Sequence, residues 1–346
     1  MKLVYANFVT VEGEGGEFPD GPYPPYNWSL GLLYPDEPTM RFHPTDAREY
    51  AAHNPVDIML LEGPSANPTA GRAFTDLAHW CRSKGIVTAC HDGDAFRAWC
   101  CGSVEAFQSA IATFDASDAV MVRTKSHCDF VQRLTSTPVT HWADYVTSAT
   151  AMEGGFPVHE RKLIAIPHGP LEQRSHMAGR GDIATVAIIR ALHTAFPEFT
   201  YCVANGITIH PVCEMYGLPV GRAPSLPKEQ NEFPLLLDAL AQCRMFLDMD
   251  DAAIGGGWIV DACSVGTPVV CTHFTSAGEA YAEGGRCTTH ALDVATAIRY
   301  ATRLIVDDAF WHQESQHARK VASGYTAANA RQTLEYVYAA VKDGSS

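Results

Sequence analysis

The chain has 346 residues, 47% hydrophobic and 18% charged, with a formal net charge of −14. That length exceeds one ordinary core and suits two domains of roughly 100 to 200 residues, and the apolar content excludes a chain that stays disordered. The first 155 residues hold 10 Lys and Arg against 19 Asp and Glu, an acidic balance that repels polyanions and argues against nucleic acid or an anionic membrane as partner. No apolar run reaches the roughly 20 residues of a membrane span, and Met1 to Ala6 reads as a first strand, not a secretory leader, so a cytoplasmic setting is expected. Eleven cysteines without a Cys-x-x-Cys spacing suggest neither a disulfide framework nor a zinc knuckle.

The first strand, about residues 2 to 9, runs into the glycine-dense loop Val11 to Glu17, which holds Gly15 and Gly16, and then into a proline-rich run from Pro19 to Pro25. Asn54-Pro55 breaks the chain before Val56 to Leu61, a continuous apolar run of the kind a buried parallel strand shows. Ala70, Ala73, Phe74, Leu77, Ala78 and Cys81 fall at helical spacing within Thr69 to Ser83. Gly85 to Cys90 is the next strand and ends on His91-Asp92-Gly93-Asp94. A helix with Val104, Phe107, Ile111 and Phe114 on one face follows, then short strands at 119–123 and 137–142. Strand and helix alternate, which predicts a parallel, doubly wound sheet.

The stretch Thr147 to Arg161 interrupts this alternation and reads as a linker. A second series begins with the strand Lys162 to Pro167 and a loop from His168 to Gly181. Asp182 is placed to cap a helix over 183–194, and strands follow at 199–204 and, after a helix over 235–243, at 244–249. Next comes Ile254-Gly255-Gly256-Gly257-Trp258-Ile259-Val260-Asp261, a glycine turn opening a short helix. Such a turn leaves the first helical N–H groups free for a phosphate, and Asp261, one and a half to two turns in, is placed to accept hydrogen bonds from ribose hydroxyls. Gly266-Thr267-Pro268 then breaks to the buried strand Val269-Val270-Cys271. A loop over Thr272 to Glu279 and a long helical tail from Ala291 to about Lys342 close the chain, with Arg319-Lys320 on a solvated helix face.

The segment from Ile254 through Asp261 to Val270 resembles the Glu-Gly-Phe-Gly…Glu-Ala…Gly-Thr-Pro-Val-Val segment of the GT-B fold retaining glycosyltransferases of the family 4 group. The resemblance extends over about residues 160 to 340. It implies an α/β fold with two Rossmann-like, doubly wound domains facing across a cleft. These would be an acceptor-binding domain over 1–155, a nucleotide-sugar-binding domain over 156–325, and a C-terminal helix over 326–346 crossing back to the first. The sequence departs from the pattern in that the second acid is Asp261 in place of Glu and the first falls on Ala253, with Asp250 and Asp251 just before it.

The resemblance implies a hexosyl- or pentosyltransferase acting with retention, whose donor substrate is a nucleoside-diphosphate sugar and which needs no metal or other obligatory cofactor. The donor phosphates would be held by Arg174, Arg180, Gly15, Gly16, Gly255, Gly256 and Gly257, and the ribose and base by Asp261, Gly221 and Arg222. His91 and Asp251 are the catalytic candidates, though His91 is equally a histidine that closes the next turn. The loss of the first acid keeps two alternatives open: a GT-B sugar-nucleotide epimerase, and a degenerate nucleotide-sugar-binding module. The acceptor is open among glycans, proteins and small molecules, with a modified nucleic-acid base disfavoured by the charge.

Overall fold

The structure, a computed structural model, describes residues 1–6, 40–62, 68–92, 103–143, 157–166, 182–203, 220–222, 233–249, 256–285, 287–290 and 293–344. The chain divides into two compact units, Met1–Val146 with Ala327–Ser346, and Thr147–Thr326. Each is built on a six-stranded sheet whose strand pairs are all parallel. Among the described residues no helix is long and apolar enough to cross a membrane.

The first unit runs β1 (Leu3–Ala6), β2 (Met40–Phe42), α1 (Pro44–His53), β3 (Ile58–Glu62), α2 (Pro68–Ser83), β4 (Val87–Asp92), α3 (Val104–Ala116), β5 (Ala119–Val122), α4 (Lys125–Gln132) and β6 (Val139–His141). The strand order is β2-β1-β3-β4-β5-β6. Ile58 to Leu61 are all fully buried because both faces of the sheet are covered. Strand alternation sorts the core into two layers. Val4, Ala6, Met59 and Leu61 meet Ala47 of α1 and Phe74, Leu77, Ala78 and Cys81 of α2. Leu3, Tyr5, Ile58, Leu60, Val87, Ala89 and Met121 meet Trp142 and, from the C-terminal helix (Ala327–Lys342), Ala330 and Leu334.

The apolar spacing in α3 marks its buried face in part: Phe114 is buried and Ile111 packs against the same cluster, but Val104 lies outside it. Ala106, Ala110, Thr113 and Phe114 are buried, whereas Val104 is 68% exposed. Small residues let α2 and α3 approach closely: a Cβ on Gly71 would overlap the Ser109 hydroxyl, and Thr113 Oγ1 reaches the Gly71 carbonyl at 3.2 Å. No phenylalanine fits at that crossing.

The second unit runs β7 (Leu163–Ile166), α5 (Asp182–Ala195), β8 (Thr200–Val203), β9 (Val220–Arg222), α6 (Phe233–Ala241), β10 (Cys243–Asp248), α7 (Gly257–Ser264), β11 (Val269–Thr272), α8 (Ser276–Ala282), β12 (Thr288–Thr289), α9 (Val294–Val306) and α10 (Asp308–Ala322). Its order is β12-β11-β10-β7-β8-β9. From β7 the chain therefore builds outward to β8 and β9, then returns to build β10, β11 and β12 on the other side. This is the arrangement of a dinucleotide-binding sheet.

Three expectations change here. The stretch after β11 holds the helix α8, capped by the Thr275 side chain, which accepts from Gly278 N at 2.9 Å. The helical tail is three helices; Asp307 ends α9 and caps α10, accepting from Phe310 N at 2.9 Å. The Arg319 guanidinium packs against Gly266 and donates to Val265 O at 3.1 Å, so it braces the turn before β11.

Arg244 is the charged anchor of this unit, its side chain only 3% exposed. It donates to Leu304 O at 2.6 Å, Val158 O at 2.7 Å and Ile305 O at 2.8 Å, and pairs with Asp308 at 2.6 Å. The Trp311 indole N–H returns a bond to Arg244 O at 2.6 Å. Arg244→Met strands those carbonyls and is expected to cost about 3 kcal/mol or more in urea unfolding. Asp308→Ala, at a 56% exposed carboxylate, should cost under about 1 kcal/mol. Equal losses would contradict this division of labour.

Candidate functional site

Parallel sheets bind ligands beyond the carboxyl ends of their strands, where the strand order reverses. In the second unit that point lies between β7 and β10. β7 ends at Ile166 and leads toward Arg174 and Arg180, and β10 ends at Asp248 and leads toward Asp251, Ala253 and Gly255. Those residues, with Gly15 and Gly16 of the first unit, lie outside the described residues.

Gly256 precedes α7 with φ 67° and ψ 35°, a left-handed conformation that favours glycine. A Cβ there would also lie 2.9 Å from Thr275 Oγ1 and 3.2 Å from Ala277 Cβ. The start of α7 is thereby pressed against the start of α8. Ile259 N and Val260 N both bond to Gly256 O, at 2.9 and 3.2 Å, which leaves the amides of Gly257 and Trp258 ahead of the helical ladder. Two helix starts, each with the positive end of its dipole, thus meet at the carboxyl edge beside the switch point.

Asp261 is the fifth of the eight residues of α7, little more than one turn from its start, closer to it than expected from sequence. It is 2% exposed on a helix whose residues from Ile259 to Ser264 are all buried. A carboxylate in such surroundings is costly unless it is paired or hydrogen-bonded. Asp248, overlooked in the sequence, is a second buried carboxylate, 6% exposed, at the end of β10 and in register with Cys271 of β11. Burial and then Asp261 push the Cys263 thiol up, and burial followed by Asp248 does the same to Cys271. Both thiols stay protonated and are not nucleophiles.

Histidines follow β11 and β12 at the same edge, another feature the sequence did not flag. The His273 and His290 rings lie 4.5 Å apart, with Phe274 4.8 Å from His273. Burial and the neighbouring His290 lower the His273 pKa, so its imidazole is neutral at neutral pH. Gly221 and Arg222 lie in β9, paired with Cys202 and Val203 of β8. β9 stands three strand spacings from β10, on the order of 14 Å.

In the first unit His91 lies near the carboxyl end of β4, in register with Glu62 of β3 and Met121 of β5. It is 3% exposed, and its ring stands edge-on to Trp142, with centroids 5.0 Å apart and planes at 79°. The structure therefore gathers Gly256, Gly257 and Asp261 on one helix start, with His91 on the other unit.

No family model and no curated protein sequence matches the chain. Solved structures do. HepE from Anabaena, crystallised with UDP and glucose, superposes with a TM-score of 0.68 at 13% identity, covering 98% of this chain and 100% of that one. Sucrose-phosphate synthase from Thermosynechococcus elongatus gives 0.65 at 12% identity, over 92% of this chain and 93% of the other. TarM gives 0.61 at 9% identity over 84% of this chain, which spans only 57% of TarM. The fold is that of the GT-B glycosyltransferases. At these identities the likeness establishes the fold alone, and the GT-B assignment fits both sheets and their helices.

Gly256 gives a direct check on the contact between the starts of α7 and α8. Gly256→Ala must hold a left-handed backbone and push against Thr275, and is expected to cost about 2 kcal/mol or more in urea denaturation. An unchanged midpoint would contradict the geometry.

Proposed function

We propose that the chain is a glycosyltransferase that moves a sugar from a nucleoside-diphosphate sugar to an acceptor hydroxyl with retention of anomeric configuration. The observation that carries this reading is the glycine-opened start of α7 beside the switch point of the second sheet, with the buried Asp261 four residues beyond Gly257. Negative charge builds on the diphosphate as it leaves, and amides at a helix start stabilise it. In this reading Arg174 and Arg180 fork onto the same oxygens, with Gly255, Gly15 and Gly16 allowing close backbone approach. Asp261 accepts the ribose hydroxyls, Gly221 and Arg222 serve the base side, and Asp248 adds a second acceptor at the strand end.

In this reading His91, at the carboxyl end of β4, is the acceptor-unit group nearest the transferring sugar, and Asp251 supplies the carboxylate missing at Ala253. The anomeric carbon–phosphate oxygen bond breaks as the new bond to the acceptor oxygen forms on the same face. The acceptor proton passes to the leaving diphosphate. Such a reaction asks the protein for positioning and charge stabilisation and needs no side-chain nucleophile. UDP and glucose in the HepE crystal make UDP-glucose the first donor to test. A glycan, protein or small-molecule acceptor suits the acidic first half better than nucleic acid.

Calorimetric titration with UDP, GDP and ADP sugars is the decisive measurement. One donor is expected to bind, and Arg174→Ala or Arg180→Ala should weaken it about tenfold or more, the loss of a charge-assisted hydrogen bond. Unchanged affinity in both variants would remove the phosphate-clamp assignment. Binding without hydrolysis or transfer across an acceptor panel would turn the reading to a binding module.

A further inference from the structure

A buried imidazole on a strand end, such as His91, presents a useful nitrogen only if its plane is fixed. Val87, Ala89 and His91 alternate along β4, and Val87 and Ala89 lie in the layer closed by Trp142 and the C-terminal helix, so the pleat places His91 on that face too. Trp142 is fully buried and follows β6 directly. Its main-chain N–H donates to Val122 O at 2.8 Å, which fixes its Cα by the β5 ladder. Its indole N–H donates to Ala330 O at 3.1 Å, 188 residues further along the chain. The indole meets the His91 ring edge-on at 5.0 Å, a directional arrangement for aromatic rings.

The helix that receives the indole is itself fastened. Ala330 and Leu334 are buried in the same layer, and Lys342 Nζ donates to Gly85 O at 2.7 Å, near the start of β4. The chain leaves this unit at Val146 and returns to it at Ala327. A simple filler of the layer needs only an apolar ring, and phenylalanine would serve. An indole whose one polar atom is spent on a helix carbonyl holds its plane as well as its place.

We infer that Trp142 is the positioning residue for His91, its indole locked to the C-terminal helix through Ala330 O so that the imidazole is held in one orientation at the carboxyl edge of the first sheet. The kinetic part of this inference rests on the proposed sugar transfer; the orientation of the ring does not. Two replacements separate the roles. Trp142→Phe keeps an apolar ring and loses the N–H. A benzothiophene analogue of tryptophan at position 142 keeps the shape and loses only the N–H, and guards against a misfolded phenylalanine variant.

The imidazole resonances of His91, assigned by their loss in His91→Gln, are measured first in the full chain. Both replacements are expected to shift and broaden them, while the far-ultraviolet spectrum stays native. With UDP-glucose as donor, kcat should fall about tenfold and donor KM stay within about twofold, the pattern of a misplaced group and not of lost donor binding. In the His91→Gln background the same replacements should have no further effect, since residues acting as one unit are not additive. Unmoved His91 resonances would overturn the inference even if no transfer were detected. So would kcat losses that multiply independently of His91. Absence of nucleotide-sugar binding, by contrast, would overturn the functional reading and leave the resonance result to decide this one.

Discussion

A parallel sheet has no face it can leave to water, and in the first unit that requirement is met in an unusual order. Helices α1 and α2 cover one layer, and they come from the sequence between the strands. Among the described residues, the other layer over β1, β3 and β4 is closed by Trp142 and by the helix Ala327–Lys342, made only after the whole second unit. The fully buried run Ile58 to Leu61 draws on both layers, with Ile58 and Leu60 against that late helix and Met59 and Leu61 against the early ones. The first unit is thus closed by a segment that follows the whole second unit. The Trp142 to Ala330 bond is the polar part of that closure.

In the second unit two buried arginines, Arg161 and Arg244, and two buried aspartates, Asp248 and Asp261, lie at different edges, while the buried Glu314 of α10 accepts from the Tyr281 hydroxyl at 3.1 Å. Arg161 before β7, Arg244 at the start of β10 and Arg319 against the turn before β11 all donate to backbone carbonyls at or near the amino ends of the strands. Arg161 also lies 4.6 Å over the Trp311 ring, and burial lowers its pKa first of all causes. Asp248 and Asp261 are buried at or beside the carboxyl edge. Cations that satisfy carbonyls hold the unit together, while the two aspartates lie at the edge where parallel sheets of this order commonly bind ligands. The same side-chain class therefore means different things at the two edges. The guanidinium of Arg319, expected to be solvated, belongs with the structural set.

Runs such as Val56 to Leu61 and Arg244 to Met249 were legible because a strand covered on both faces needs no alternation. β2 and β12, three and two residues long, carry no period and gave no signal. The face of α3 was legible only in part, because its contact with α2 runs through the small residues Gly71, Ser109 and Thr113, and hydrophobicity counts large side chains first. Thr275 to Glu279 has the composition of a turn, yet its threonine is a helix cap. At the site, Gly256, Gly257 and Asp261 stood out because turn chemistry is local. Asp248 did not, since a carboxylate at a strand end makes no pattern. His91 was visible and Trp142 beside it was not, because three strands and a distant helix bring them together.

The two candidate ends of the reaction share one physical device. In the second unit the α7 start is held by contact with Thr275 and Ala277, about twenty residues later, and in the first unit the His91 ring is flanked by a tryptophan fifty-one residues on, itself bonded to the helix Ala327–Lys342. Among the described residues, both groups are in contact with elements far from them in sequence. Chemistry that depends on positioning and electrostatic stabilisation gains little from a strong nucleophile and much from groups that need not reorganise when charge develops. Such groups must be braced by elements that do not themselves touch the substrate, and parallel sheets supply them where neighbouring strand ends and helix starts converge. The packing that closes each core thus also orients the edge at which the proposed transfer takes place.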